Sequence, residues 1–189
     1  MKIDATQPWS LLESAELVCP AADVAAAVER VAMQMTTRLR ERRPLVLGVM
    51  RGSVVFAGRL LPLLRFPLEF DYLEVTRYDR TTQGGAIQWK VSPGTTVAGR
   101  VVLVLDDILD QGHTLAAIRD RLMEAGAQEL YTAVFADKNT GAPKPIRADF
   151  VGIEVPNRYV FGFGMDVYGL WRNLPAIYAL KDDSGATAR

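Results

Sequence analysis

The chain contains one cysteine, one histidine, no net charge over 189 residues, and no apolar run long enough to span a bilayer. Cys19 cannot close an internal disulfide by itself, and no metal-ligand spacing surrounds it, so neither a disulfide framework nor a cysteine-held metal is expected. Lys plus Arg and Asp plus Glu both number 22, which removes any bulk electrostatic pull toward nucleic acid or a membrane surface. Residues Met1 to Pro8 lack the pattern of a signal peptide, and repeats and low-complexity tracts are absent. The expectation is a cytoplasmic protein with a single domain over residues 1–189, long enough for a sizeable core, and with neither nucleic acid nor membrane as a partner.

Apolar residues that are present fall into readable patterns. Val24, Val28, Val31, Met35 and Leu39 recur at helical spacing, so Ala21 to Glu41 reads as an amphipathic helix. Short aliphatic runs at Leu45 to Val49, Leu68 to Val75, Val101 to Leu105 and Leu130 to Ala136 read as strands. Their alternation with helical stretches between Pro44 and Ala136 predicts an α/β fold, a central parallel sheet with helices on both faces. The stretch before Pro20 is less regular, with Trp9, Leu11 and Leu12 available to cover a site or a subunit contact, and the polar tail over residues 181–189 is expected to be disordered.

The segment VVLVLDDILDQGHT, from Val101 to Thr114, is the richest in chemistry. Val101 to Leu105 show no polar alternation, which fits a strand buried on both faces. Asp106 and Asp107 follow at its carboxyl end, where open α/β sheets present ligand-binding groups, and a pair of carboxylates can accept hydrogen bonds from the vicinal hydroxyls of a ribose. Asp110, Gln111, Gly112, His113 and Thr114 then form a turn into a helix whose apolar face is Leu115, Ile118 and Leu122. Exposed backbone N–H groups at that helix start, close approach at Gly112 and the Thr114 hydroxyl suit one phosphate. Each residue alone fits ordinary turn and helix-start chemistry; their joint order points to a phosphorylated ribose.

This segment resembles the phosphoribosyl pyrophosphate (PRPP) motif of type I phosphoribosyltransferases. From about Pro44 to Leu180 the chain resembles the hypoxanthine-guanine phosphoribosyltransferases in particular. Further blocks carry the likeness: GVMRGSVVFAGRL from Gly48, EVTRYDRTTQGG from Glu74, Lys138 behind an apolar strand, and DFVGIEVPNRYVFGFGMDVYGLWRNLP from Asp149. The resemblance implies the type I phosphoribosyltransferase fold with a small hood subdomain, formed by the N-terminal stretch and about residues 149–175. It implies transfer of the 5-phosphoribosyl group from PRPP to hypoxanthine and guanine, giving IMP, GMP and pyrophosphate, with magnesium (Mg2+) as cofactor and a homodimer or homotetramer as the assembly.

Site roles follow from the same likeness. Asp106, Asp107, Asp110, Gln111, Gly112, His113 and Thr114 would hold the ribose and 5-phosphate, with Asp110 also the base that accepts the purine proton. Arg51, Gly52, Tyr78 and Arg172 would meet the pyrophosphate, and the family joins the residue at Arg51, usually Lys, to its predecessor by a cis peptide. Ile108, Lys138, Tyr159, Val160, Met165 and Asp166 would bind the purine, Tyr159 by stacking and Lys138 by donating to the 6-oxo group. Asp166, Asp106 and Asp107 would serve magnesium. Phe161 and Phe163 read as core. The chain departs from the family pattern at Arg77-Tyr78, where a mobile flap usually has Ser-Tyr, and at Gln111 and His113, often Thr and Lys. His113 is read as a support for the phosphate turn rather than as a base. The competing readings are a PRPP- or nucleotide-sensing regulator that binds nucleic acid, and a xanthine-preferring relative; the neutral charge balance and the retained Asp110, Lys138, Asp166 and Arg172 favour the enzyme.

Overall fold

The computed structural model describes residues 7–77 and 87–181. Along the chain it forms α1 (Gln7–Ser14), β1 (Glu16–Cys19), α2 (Ala21–Leu39), β2 (Leu45–Met50), α3 (Val54–Leu60), β3 (Glu69–Arg77) and β4 (Ile87–Val91). β5 (Val101–Leu109), α4 (His113–Glu124), β6 (Glu129–Lys138), β7 (Phe150–Val155), β8 (Val160–Phe161) and β9 (Ile177–Ala179) complete it. Among the described residues no helix is long and apolar enough to cross a membrane.

Six strands make the main sheet in the order β4-β3-β2-β5-β6-β7. The pairs β3–β2, β2–β5, β5–β6 and β6–β7 are parallel, as expected, whereas β4 returns antiparallel on β3. The sheet is therefore mostly parallel rather than wholly so. A short connection, over residues 78–86, joins β3 to β4, and so brief a link between adjacent strands permits only the antiparallel sense.

β5 lies between β2 and β6, and its alternate residues bury into two different cores. Val101, Leu103 and Leu105 pack on the side of α2 and α3, with Val24, Val28, Val31, Met35 and Leu39 of α2 and Phe56 of α3. Val102 and Val104 face α4, meeting Leu115, Ile118 and Leu122. This double burial is why the strand is aliphatic without alternation, and it fixes the acidic pair that follows it. β5 continues through the acidic pair to Leu109, so Asp106 and Asp107 belong to the strand's own last residues.

The irregular N-terminal reading is replaced by two elements. α1 packs on the chain near Trp171, whose indole N–H donates to the Pro8 carbonyl at 3.0 Å, and the Trp9 and Trp171 rings meet edge-on at 5.2 Å. β1 joins β9 and β8 in a separate three-stranded antiparallel sheet. Residues 150–155, assigned to the hood in the sequence reading, instead form the parallel edge strand β7 of the main sheet. The small sheet draws on residues 16–19, 160–161 and 177–179.

Phe135 couples the two parts. It is fully buried on β6, with its ring 5.6 Å from Phe56 of α3 and 4.4 Å from Phe163, which follows β8. Replacing Phe135 by Ala should lower unfolding stability by about 3–5 kcal/mol, the usual cost of a cavity this size. Urea denaturation measures it, and a loss below about 1 kcal/mol would mean that the aromatic cluster does not join the layers.

Candidate active site

The site assembles at the carboxyl ends of the parallel strands. Asp107 N–H donates to the Asp106 carboxylate and Ile108 N–H to the Asp107 carboxylate, each at 2.9 Å, so both acids are folded back on their own strand. Burial pushes the Asp106 carboxyl well above the ordinary carboxylate range, and the neighbouring Asp107 charge adds to this. Asp107 is raised as well by burial, opposed by hydrogen bonding with Asp106 and by the Arg172 charge.

Arg172 is the cation that faces this pair. Its guanidinium pairs with Asp166, lies 3.7 Å from the Asp107 carboxylate and donates to the Gly164 carbonyl at 2.5 Å. Asp166 also accepts the Gly169 N–H at 2.7 Å, while the Tyr159 hydroxyl donates to the Asp166 carbonyl at 3.1 Å. Arg172, expected at the pyrophosphate, thus links the hood loop to the acidic pair.

Two close backbone approaches let these pieces meet. A Cβ on Gly52 would fall 2.2 Å from the Asp107 carboxylate, and one on Gly164 would fall 2.3 Å from the Gly52 carbonyl oxygen. Only residues without a side chain fit there. Gly52 follows a cis peptide between Met50 and Arg51, the bond that the resemblance implies at this position. The Arg51 side chain is exposed and the Gly52 backbone is buried.

Two cavities adjoin the acidic pair. One of about 280 Å³ is lined by Asp106, Ile108, Leu109, Asp110, Gln111, Gly112, Thr114 and Leu115, at the start of α4. Gly112 caps α4 with φ +82°, turning the chain into a helix start whose N-terminal dipole favours an anion. The His113 side chain is exposed and does not line this cavity. The second cavity, of about 190 Å³, is bounded by Asp107, Ile108, Asp110, Lys138, Tyr159, Val160, Met165 and Asp166. Tyr159 is half exposed at its rim, while Phe161 and Phe163 are buried in the core. Asp110 and Ile108 belong to both walls. Lys138 donates to the Asp110 carboxylate at 2.9 Å, joining the ends of β6 and β5.

Most of the sequence-predicted residues are gathered here; Tyr78 lies outside the described residues. Sequence reasoning missed Gly164, whose signal was its place in the Phe-Gly-Phe-Gly run, and Lys144, which no periodicity or motif marks. Lys144 donates to the Leu109 and Lys138 carbonyls and to Asp137.

The crowding of Asp106 and Asp107 has a stability consequence. A carboxyl raised by burial and a like charge penalises the fold once pH climbs from the unfolded value through the folded one, and the penalty is absent below both. Asp106→Asn keeps the acceptor for the Asp107 N–H and removes one charge. Its melting temperature should exceed the parent's at pH 7–8, with the gap closing as pH falls toward about 4. Equal melting temperatures across that range would contradict the raised carboxyl.

Comparison with known proteins places this geometry. The phosphoribosyl transferase domain family matches residues 20–168. A hypoxanthine-guanine phosphoribosyltransferase of Streptococcus pyogenes is 32% identical over 162 residues, which is 85% of this chain and 90% of that protein. Another from Bacillus subtilis is 33% identical over 155 residues, 82% of this chain and 86% of the relative. Among solved structures, a hypoxanthine phosphoribosyltransferase of Staphylococcus aureus superposes with a TM-score of 0.86 at 26% identity, covering 94% of this chain and 98% of that one. A hypoxanthine-guanine-xanthine phosphoribosyltransferase gives 0.79 at 29% identity over 90% of this chain and 97% of its own. The family match and these two curated relatives, each aligned over most of its own length, establish that the chain belongs to the hypoxanthine-guanine phosphoribosyltransferase family.

Proposed function

We propose that this chain is a purine salvage transferase that moves the 5-phosphoribosyl group of PRPP to hypoxanthine and guanine, forming IMP and GMP and releasing pyrophosphate. The observation that carries this reading is the position of Asp110, on the wall common to both cavities and in contact with Lys138. A group so placed adjoins the bond that joins a ribose in one cavity to a base in the other.

In this reading the start of α4, from Gln111 to Thr114, receives the 5-phosphate, and Asp106 and Asp107 accept hydrogen bonds from the ribose hydroxyls. The backbone at Arg51 and Gly52, with Arg172, takes the diphosphate. Tyr159 stacks on the purine and the Val160 backbone reads its edge. Lys138 donates to the 6-oxo group, which an ammonium rewards and an amino group does not. That exchange draws the Lys138 ammonium toward the base and leaves the Asp110 carboxylate to accept the ring proton. A ring nitrogen forms its bond to the anomeric carbon as the bond from that carbon to the pyrophosphate oxygen breaks. Positioning and preorganised charge carry the rate, and no covalent enzyme intermediate is needed.

The donor set fits magnesium. Asp106 and Asp107 would offer hard carboxylate oxygens to a cation that arrives with the substrate, and Asp166, held by Arg172, would reach it through water. Among the described residues no group of three or more His, Cys, Asp and Glu could hold a metal, so water and substrate oxygens would complete the shell, the usual manner for this ion. When bound, magnesium supplies neutralising charge to the leaving diphosphate.

Incubation of the protein with PRPP, magnesium and hypoxanthine, guanine, xanthine or adenine in turn tests the reading. Nucleotide from hypoxanthine and guanine, with none from adenine, is expected; failure with every base would overturn it. Asp110→Asn should lower turnover roughly 10²–10⁴-fold with little change in substrate affinity, and unchanged turnover would remove Asp110 from the base role.

A further inference from the structure

We propose that Lys144 is a positioning residue for purine recognition: it ties together the ends of β5 and β6 and thereby sets the Lys138–Asp110 pair. The proposal rests on the function proposed above. The Lys144 ammonium donates to the Leu109 carbonyl at 2.7 Å, to the Lys138 carbonyl at 2.6 Å and to the Asp137 carboxylate at 2.5 Å. An ammonium has three hydrogens, and all three are used. The side chain is only 13% exposed, so loss of any acceptor would leave an ionic donor poorly solvated.

The three acceptors sit where the sheet stops. The last paired residues of β5 and β6 are Leu109 and Asp137. Beyond them the strands diverge, one into the turn at Asp110 and the other into the loop that carries Lys144 itself. The Leu109 carbonyl is joined to the Asp110 nitrogen by one peptide bond, and the Lys138 carbonyl belongs to the residue that meets Asp110. Lys144 thus fixes the two backbones from which the proposed base and the proposed selector project.

Charge is divided by the same arrangement. Successive side chains on a strand point to opposite faces, so Asp137 and Lys138 project in opposite senses. Lys144 pairs with Asp137, and Lys138 pairs with Asp110. Without Lys144, the Asp137 carboxylate would lose its counter-charge and the Leu109 and Lys138 carbonyls their shared donor, so the two strand ends that carry Asp110 and Lys138 would no longer be tied. Pro143 and Pro145 flank Lys144 and restrict its backbone, which lowers the entropy lost in holding the tie.

The test compares the parent with Lys144→Met and with Lys144→Met/Asp137→Asn, the second leaving no unpaired acid in case the first folds poorly. In at least the double variant, thermal unfolding should report a folded chain. The KM for hypoxanthine should rise on the order of tenfold, as expected for misplaced recognition groups, and the preference for hypoxanthine over adenine should fall, with the KM for PRPP kept within about twofold. A folded variant with parental KM for hypoxanthine, or with both KM values rising together as in general loosening, would overturn the proposal. A parent that makes no nucleotide would sink the proposed function instead, so the two failures are distinct.

Discussion

The site depends on a constraint that most proteins avoid, two adjacent carboxylates held in poor contact with water. Asp106 and Asp107 are placed there because β5 is buried on both faces and continues past its aliphatic run without turning outward. Their charges are answered partly by backbone N–H groups and partly by Arg172. The loops at Gly52 and Gly164 then close over the pair at distances that permit no side chain. Two buried acids compensated only in part cost stability, and they are the feature on which the proposed ribose and cation contacts rest.

From that pair the rest of the cleft extends in two directions. Toward α4 lies a cavity with the donors of a helix start; toward the small sheet lies one bounded by Lys138 and Tyr159. The parallel sheet brings both to the same end, since all carboxyl termini of its parallel strands emerge together. The hood loop is secured to the same place from two sides, by the Phe135–Phe163 contact beneath it and by Trp171 against Pro8 above. Arg172 follows Trp171 directly, so the packing of the N-terminal helix bears on the cation that faces the acids.

The central architecture was legible in the sequence for a physical reason: elements buried by periodic patterns announce themselves. α2 was readable from Val24, Val28, Val31, Met35 and Leu39, and all five are buried on one face. β5 and α4 were readable from the unbroken aliphatic run and the Leu115, Ile118, Leu122 spacing. What was not legible depends on contacts between distant segments. β4 returns antiparallel because its link from β3 is too short for a crossover, which the alternation of strands and helices does not encode, and β7 looked like hood because its segment adjoins the base-pocket block. β1, β8 and β9 are two to four residues long, too short for a periodic signal, and they join across most of the chain. Lys144 is the sharpest case, because a lysine in a proline-rich loop reads as solvent-exposed until the three acceptors around it are placed.

The acidic pair is the proposed contact of the ribose and its cation, and proton linkage addresses this directly. PRPP with magnesium would be titrated calorimetrically into the parent and into Asp106→Asn/Asp107→Asn, at mildly acidic pH, in two buffers of different ionisation enthalpy. Carboxyls raised in the free protein should ionise when hydroxyl donors and a cation engage them, so the parent should release more protons than the double variant and bind PRPP more tightly. Equal proton release and equal affinity in the two proteins would contradict the account.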